Sequence, residues 1–365
     1  MKNILLLCEA YGGGVKTYID AFYNNKEQLK HINLKIIVSS KRLTAIHSDI
    51  NKDYIIEDHL SFGKSIFKLQ QALQTLNKVV KDNDIDMIHA NSTMAGLLIY
   101  LYKKIYHSKI QLIYTPHGYY SFKPMGKIKK GCIRLIEKKI NHVCGKVIHV
   151  SKSEEMEAIE KKLIHKEKSI VIYNGVEQPN KAKRINNERF TIINLARVDA
   201  QKNPEAFVEM AKVIVEENPN IQFIWAGHGE LLEKMRAKVT AYQLQNHIQF
   251  IGHLEAKDSL LCQADLYFST SHYEGLPFAV IEAMSYGVPL LLSDNIGHVD
   301  LIDNEENGLL FHLNDVNTVR TFINTMYHHP EKRRAMSRNG YQKFKSNFSQ
   351  EVMLKSTEAM YLSLN

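Results

Sequence analysis

The sequence predicts an α/β protein of two domains, each built on its own parallel sheet. Three observations carry that prediction. The chain has 365 residues, which at roughly 100 to 200 residues per domain is enough for two. Short apolar runs alternate with amphipathic stretches, the pattern of βαβ units. The alternation also stops at a polar stretch, Gln178 to Arg189, and then begins again.

The first series of runs is Ile4 to Cys8, Leu34 to Ser39, Met87 to His89, Gln111 to Thr115, Lys146 to Val150 and Ile170 to Tyr173. Each reads as a strand buried on both faces. Between them lie helical patterns such as Ser65 to Lys81, where Ile66, Leu69, Leu73, Leu76 and Val80 recur at intervals of three and four. The second series is Phe190 to Ala196, Ile221 to Ala226, Ile248 to Ile251, Leu266 to Ser269, Leu290 to Leu292 and Leu309 to Phe311. The expected domains are 1–180 and 181–345, followed by a helical tail, 346–365. Tyr341 to Leu364 is helical in pattern.

Composition narrows the class. Hydrophobic residues make up 44% and charged residues 24%, with 18 Gly and 8 Pro, which excludes collagenous and largely disordered chains. The apolar run Ile4 to Cys8 is shorter than a signal-peptide core, so no export or membrane-spanning segment is expected. Cys8, Cys132, Cys144 and Cys262 form no Cys-x-x-Cys pair, and Cys132, His142 and Cys144 fit no zinc spacing. Reduced thiols in a cytosol follow.

The net charge of +8 is unevenly divided. Residues 1–180 hold 28 Lys+Arg against 17 Asp+Glu, or +11, and the remainder holds 19 against 22, or −3. An anionic partner is expected for the first half, whether nucleic acid, acidic membrane or phosphorylated substrate.

Ligands of open α/β sheets bind beyond the carboxyl ends of the strands. The first strand is followed there by Tyr11-Gly-Gly-Gly-Val15, ahead of a helix read as Lys16 to Tyr23. Its glycines let backbone N–H groups approach an anion; a plain tight turn is the competing reading. Thr17 breaks the Gly-x-Gly-x-x-Gly pattern and no Gly-Lys-Ser/Thr follows, so neither a dinucleotide fold nor a P-loop is supported. In the second domain Arg197 and Lys202 follow a strand and precede a helix opening at Pro204, a placement suited to a diphosphate. Directly after strand Leu266 to Ser269 comes Ser271-His-Tyr-Glu274-Gly275-Leu276-Pro277-Phe278, then Glu282 in the helix that starts near Phe278. A helix N-terminus there offers free amides to phosphate, and the two acids can accept from vicinal hydroxyls.

The Glu-Gly-x-Pro-x-x-x-x-Glu arrangement, Arg197 and Lys202, the glycine loop, Thr115-Pro-His117-Gly118 and Val171-Ile-Tyr-Asn174-Gly175-Val176 together resemble the family 4 retaining glycosyltransferases of GT-B fold. The resemblance spans nearly the whole chain. It implies two Rossmann-like domains facing a central cleft, return of the tail, 346–365, to the first domain, and transfer of a hexose or N-acetylhexosamine from a nucleotide-sugar, UDP by default. Arg197 and Lys202 would hold the diphosphate and Glu282 the ribose. Glu274 would take donor-sugar hydroxyls, and Gly275, Leu276, Pro277 and Phe278 would complete the cradle. Gly13 and Gly14 would close on the phosphates from the other domain. His117 would contact the donor sugar near the anomeric carbon, a structural histidine being the alternative. Glu274, His117, Arg197 and Lys202 are thus the expected catalytic set. Ala196 departs from the family's usual Gly before the Arg.

No metal or other cofactor is expected, because the cations and the helix end supply the positive charge. Asp84-Ile-Asp86 spells a metal-binding Asp-x-Asp but precedes its strand, at the end away from the cleft. The segment Lys123 to Ile140 carries seven Lys/Arg and one acid, with Ile128, Cys132, Leu135, Ile136 and Ile140 on one helical face. That apolar stripe is expected to pack on the sheet, leaving Lys127, Lys129, Lys130, Arg134, Lys138 and Lys139 to meet an anionic membrane, simple solvation of these cations being the competing reading. A lipid-linked saccharide acceptor and a cytoplasmic enzyme peripheral to the inner membrane face follow, as in bacterial capsule, exopolysaccharide or O-antigen assembly. Nucleic acid is disfavoured, because the basic segment lacks interleaved aromatics. A GT-B sugar-nucleotide 2-epimerase and a non-catalytic partner subunit are the rivals. The sequence leaves oligomeric state, donor sugar and linkage open.

Overall fold

The computed structural model describes residues 1–40, 54–63, 65–179, 187–254 and 256–364. The polar stretch expected as a linker, Gln178 to Arg189, has its middle, 180–186, outside the described residues. The chain forms two compact units, Met1–Asn174 with Gln350–Asn365, and Gly175–Ser349.

The first unit runs β1 (Lys2–Cys8), α1 (Gly13–Asn24), β2 (Ile32–Val38), β3 (Tyr54–Ile56), α2 (Ile66–Asp82), β4 (Met87–Asn91), α3 (Thr93–Ile105), β5 (Gln111–Thr115), α4 (Lys127–Val143), β6 (Lys146–His149), α5 (Lys152–Glu160) and β7 (Ser169–Val171). All pairs are parallel, in the order β3-β2-β1-β4-β5-β6-β7. Ile4 to Cys8 are fully buried, as a strand covered on both faces requires. The edge strand β3 is absent from the sequence reading, because three residues are too few to show a period. Ser65 caps α2 by accepting from the Lys68 amide, and Ala72, Leu73, Leu76 and Val79 form its buried face. Ile66, expected on that face, is 81% exposed.

The second unit runs β8 (Phe190–Leu195), α6 (Pro204–Glu217), β9 (Ile221–Ala226), α7 (Leu232–Ala241), β10 (Ile248–Gly252), α8 (Asp258–Gln263), β11 (Leu266–Ser269), α9 (Phe278–Ser285), β12 (Leu290–Ser293), α10 (His298–Leu301), β13 (Gly308–Phe311), α11 (Val316–His328) and α12 (Pro330–Lys343). Its sheet is also parallel, ordered β10-β9-β8-β11-β12-β13. The core is aromatic: Phe207 packs on Phe223, Trp225, Phe250 and Phe268. Trp225 donates its indole N–H to the Ala196 carbonyl at 2.8 Å, anchoring the strand end that precedes Arg197.

The helical pattern of Tyr341 to Leu364 divides between the end of α12 and a further helix. After α12 a single π-helical turn, Phe344–Phe348, buries both of its phenylalanines, and Ser349 is extended. The chain then starts α13 (Gln350–Ser363), which belongs to the first unit. There Tyr361 reaches the buried His89 at 2.5 Å.

Each sheet reverses its strand order once, between β1 and β4 and between β8 and β11. The segments after β1 and β4 in one unit, and after β8 and β11 in the other, therefore lie at the switch points where such folds bind ligands, and the segment after β5 leaves the strand next to the first of them.

Candidate active site

In the second unit the segments after β8 and β11 are stitched together. Gln201 donates to the Tyr273 carbonyl at 3.0 Å, and its own carbonyl accepts from the His272 amide at 2.9 Å. Thr270 donates to the Lys202 and Asn203 carbonyls. Asn203, in the left-handed region at φ 52°, caps α6 by accepting from the Ala206 amide. This brings Lys202 Nζ to 2.5 Å from Glu274 Oε1, with side chains 16% and 7% exposed. Burial alone would raise the Glu274 carboxyl, but Lys202, with help from His298 and Ser271, holds it below the usual carboxylate range. Glu274 is thus a fixed anion. Arg197 is 65% exposed and rests on Asp199 at 2.7 Å and Gln201 at 3.3 Å.

The Gly275-Leu276-Pro277 turn delivers the chain into α9. Pro277 is the N-cap residue and has no side chain to cap with, so the amides of Phe278 and Ala279 have no acceptor within their own helix. Glu282, further along α9, pairs with Lys257 at 2.5 Å. Sequence reasoning missed Lys257, which lies far from the motif in sequence. It also missed Gly297 and His298. A Cβ at Gly297, where φ is +87°, would stand 2.4 Å from the Gly275 carbonyl oxygen and 3.3 Å from Glu274 Cβ. His298 is fully buried. Its Nδ1–H donates to the Ser293 carbonyl at 2.8 Å, and its Nε2 has no partner among the described residues. Burial pushes its imidazole down to about 4, against the upward pull of Glu274.

In the first unit Gly12 is the N-cap of α1, and Gly13 and Gly14 are that helix's first residues. The helix therefore starts earlier than Lys16, and the amides of both glycines are orphan donors at a helix N-terminus. Gly13 has φ +55° and nothing within 4 Å of a built Cβ. The next turn of α1 carries Tyr18, whose ring meets His117 edge-on at 4.8 Å.

His117 and Gly118 follow β5 with φ 52° and 91°. His117 Nε2 lies 3.1 Å from Asn91 Oδ1. Asn91 spends its Nδ2 on the His89 carbonyl, so its oxygen faces the histidine and Nε2 must be the protonated nitrogen. Burial pushes the imidazole down to about 3. His117 is then neutral near pH 7, with Nδ1 as an acceptor that makes no hydrogen bond among the described residues.

Asp84 and Asp86 stand at the amino end of β4, where Asp86 accepts from the Asn3 amide at 2.8 Å. Among the described residues no three His, Cys, Asp or Glu side chains gather as a metal site. On α4 the expected apolar stripe is split: Ile140 is buried in the core and Ile136 packs against it, but the other three positions face outward. Glu137, Ile140 and Asn141 are buried, while Ile128 is 87% and Leu135 63% exposed and Cys132 is exposed too. Polar contacts add to that packing. Glu137 accepts from the Tyr120 amide at 2.8 Å, and Asn141 donates to the Tyr119 hydroxyl and the Leu163 carbonyl. At 3.6 residues per turn Ile128 and Leu135 lie about 180° and 160° round from Glu137. Lys127, Lys129, Lys138 and Lys139 share the exposed side, whereas Lys130 and Arg134 are half-buried.

Comparison with known proteins decides the family. Residues 12–178 match the description Glycosyltransferase Family 4, and residues 176–343 match Glycosyl transferases group 1. The chain belongs to the family 4 glycosyltransferases of GT-B fold. It is 26% identical over 321 residues to the Escherichia coli UDP-Gal:alpha-D-GlcNAc-diphosphoundecaprenol alpha-1,3-galactosyltransferase, covering 82% of this chain and 81% of that protein. It is 27% identical over 317 residues to the O-antigen biosynthesis glycosyltransferase WbnH of Escherichia coli, covering 85% and 86%. Anabaena HepE, solved in complex with UDP-glucose, superimposes with a TM-score of 0.81 at 19% identity, over 100% of both chains. This glycosyltransferase therefore has relatives in bacterial O-antigen synthesis. No helix among its described residues is long and apolar enough to cross a membrane.

Proposed function

We propose that this glycosyltransferase moves a hexose or N-acetylhexosamine from a UDP-sugar to a lipid-linked saccharide in surface-polysaccharide assembly, with retention of the donor's anomeric configuration. The observation that carries the reading is the buried Lys202–Glu274 pair beside the uncapped N-terminus of α9. A sugar diphosphate needs cations and amides for its leaving group and an anion for its hydroxyls, and this arrangement offers all three. Lys202, Arg197 and the α9 amides are assigned to the diphosphate, Glu274 to sugar hydroxyls and Glu282 to the ribose. In the first unit, Gly13 and Gly14 are assigned to phosphate and the neutral His117 to the donor sugar through Nδ1.

In the proposed step the bond from the anomeric carbon to the diphosphate oxygen breaks, and the acceptor oxygen bonds to that carbon on the same face. The acceptor's proton passes to the departing phosphate oxygen. Side-chain cations meet the developing negative charge, so the reaction proceeds without a divalent metal. We assign the exposed side of α4, with its cations round Ile128 and Leu135, to the anionic inner surface of the cell membrane.

UDP release from a panel of UDP-sugars, with a diphospho-lipid sugar as acceptor, tests the reading. Product with the donor's anomeric configuration, formed undiminished in EDTA, is expected. An inverted anomer or loss of turnover in chelator sinks the mechanism, and conversion of UDP-N-acetylglucosamine to its 2-epimer without an acceptor would favour the epimerase.

A further inference from the structure

The His117 turn is held in place by buried carboxylates. Two consecutive residues, His117 and Gly118, sit at positive φ, a conformation that a histidine adopts only when its surroundings impose it. The restraint comes from α5. Glu154 is fully buried. Its Oε1 accepts from the Gly118 amide at 2.8 Å and its Oε2 from the Val150 amide at 3.1 Å. Its own amide donates to Ser151 Oγ at 3.1 Å.

Ser151 and Glu154 thus form a Ser-x-x-Glu helix start, in which the glutamate usually reaches back to the cap's own amide. Here it reaches one residue further back and spends its other oxygen on a different loop. Glu137 of α4 performs a matching service for the Tyr120 amide. The segment from 118 to 120 is therefore clamped from two helices.

We propose that Glu154 is the positioning residue for His117. Its carboxylate fixes the left-handed turn, which keeps the imidazole on Asn91 and leaves Nδ1 as the acceptor. The inference rests on the reading of His117 as a donor-sugar contact, and Glu154 itself touches no substrate. Gln at this position has one oxygen for two amides, and its NH2 group opposes the second N–H.

Glu154→Gln is expected to lower kcat about tenfold, with the donor KM within about twofold of wild type, because a displaced contact near the reacting carbon acts on the transition state. In a His117→Ala background the same substitution should change kcat by less than about twofold. Equal losses in both backgrounds would mean a merely structural role and would overturn the proposal. Nitrogen-15 signals of the His117 ring, assigned with His117→Ala, provide a readout independent of turnover. Wild type should show the Nε2–H form, and Glu154→Gln should shift the His117 signals toward averaged nitrogens. Unmoved signals refute the positioning role even if turnover falls. If wild type transfers no sugar, the functional reading fails while the ring signals still decide the positioning. Should Glu154→Gln not fold, Glu154→Asp, which keeps the charge and withdraws the oxygens by one methylene, must move both readouts in the same direction.

Discussion

Lys202 Nζ stands 2.5 Å from Glu274 Oε1, and both side chains are largely shielded from water. Such a pair is far more costly to break than to replace. Lys202→Met should lower unfolding stability by about 3–5 kcal/mol, because it strands a buried carboxylate. Lys202→Met with Glu274→Leu should recover much of that loss. Neither variant should transfer sugar, and Glu274→Gln alone should lower kcat by about 100-fold or more. Urea unfolding alongside UDP release checks both halves. The Glu274 carboxyl is depressed in the folded state, so its contribution to stability is present above the ordinary carboxylate range and is lost as pH falls through its lowered pKa. Lys202→Met should flatten that acid-side slope.

Lys257 holds Glu282 at 2.5 Å and lies too far back in the sequence to belong to the Glu-to-Glu motif. If Glu282 meets the ribose, Lys257→Met should weaken UDP binding several-fold in calorimetry, with kcat little changed. A fall in kcat at unchanged UDP affinity would contradict this division of labour.

Glu154 is expected to give stability and activity opposite pH dependences. Burial, opposed by the Val150, Gly118 and Tyr119 amides and reinforced by Glu137, raises its carboxyl to about 7. The neighbouring titratable groups are Glu137 of α4, Tyr114 of β5, Tyr119 of the clamped loop, His149 of β6 and Glu155 of α5. A folded-state pKa above the unfolded value favours the fold at low pH, and that share of stability is lost as pH rises through about 7. The ionised form is the one that accepts both amides, so turnover should rise over the same interval. Thermal unfolding and kcat measured from pH 5.5 to 8.5 should cross, and Glu154→Gln should remove this component from both curves.

The exposed side of α4 makes a separable prediction. Ile128→Ser with Leu135→Ser should leave thermal stability unchanged, because neither side chain is packed, yet should reduce sedimentation with vesicles containing anionic lipid. Lys127, Lys129, Lys138 and Lys139 changed together to Gln should reduce it further and weaken its salt dependence. Undiminished sedimentation of both variants would remove the membrane assignment.

Much of this was legible in advance. Strands Gln111–Thr115, Ile221–Ala226 and Leu266–Ser269 appear where their apolar runs lie, because strands buried on both faces must be apolar throughout. Glu274 and Lys202 were legible as site candidates because each follows a strand at a fixed distance. Lys257, His298, Asn91 and Glu154 were not, since none lies in a recognised motif and each acts on a residue distant in sequence. The Ser-x-x-Glu spacing at Ser151 was a visible signal, but only of a helix start.

The sequence by itself determined the alternation of strands and helices, the division of charge and the motif that names the family, since these depend on local order along the chain. Only the tertiary structure decided which face of α4 is buried. Of the stripe Ile128, Cys132, Leu135, Ile136 and Ile140, only Ile136 and Ile140 pack inward, and Glu137 and Asn141 face inward beside them, where the loop after β5 and the Leu163 carbonyl take their hydrogen bonds. A buried amide or carbonyl without a partner costs about as much as a buried leucine contributes, so the polar contacts of Glu137 and Asn141 weigh with the packing of Ile136 and Ile140 against the exposure of Ile128 and Leu135.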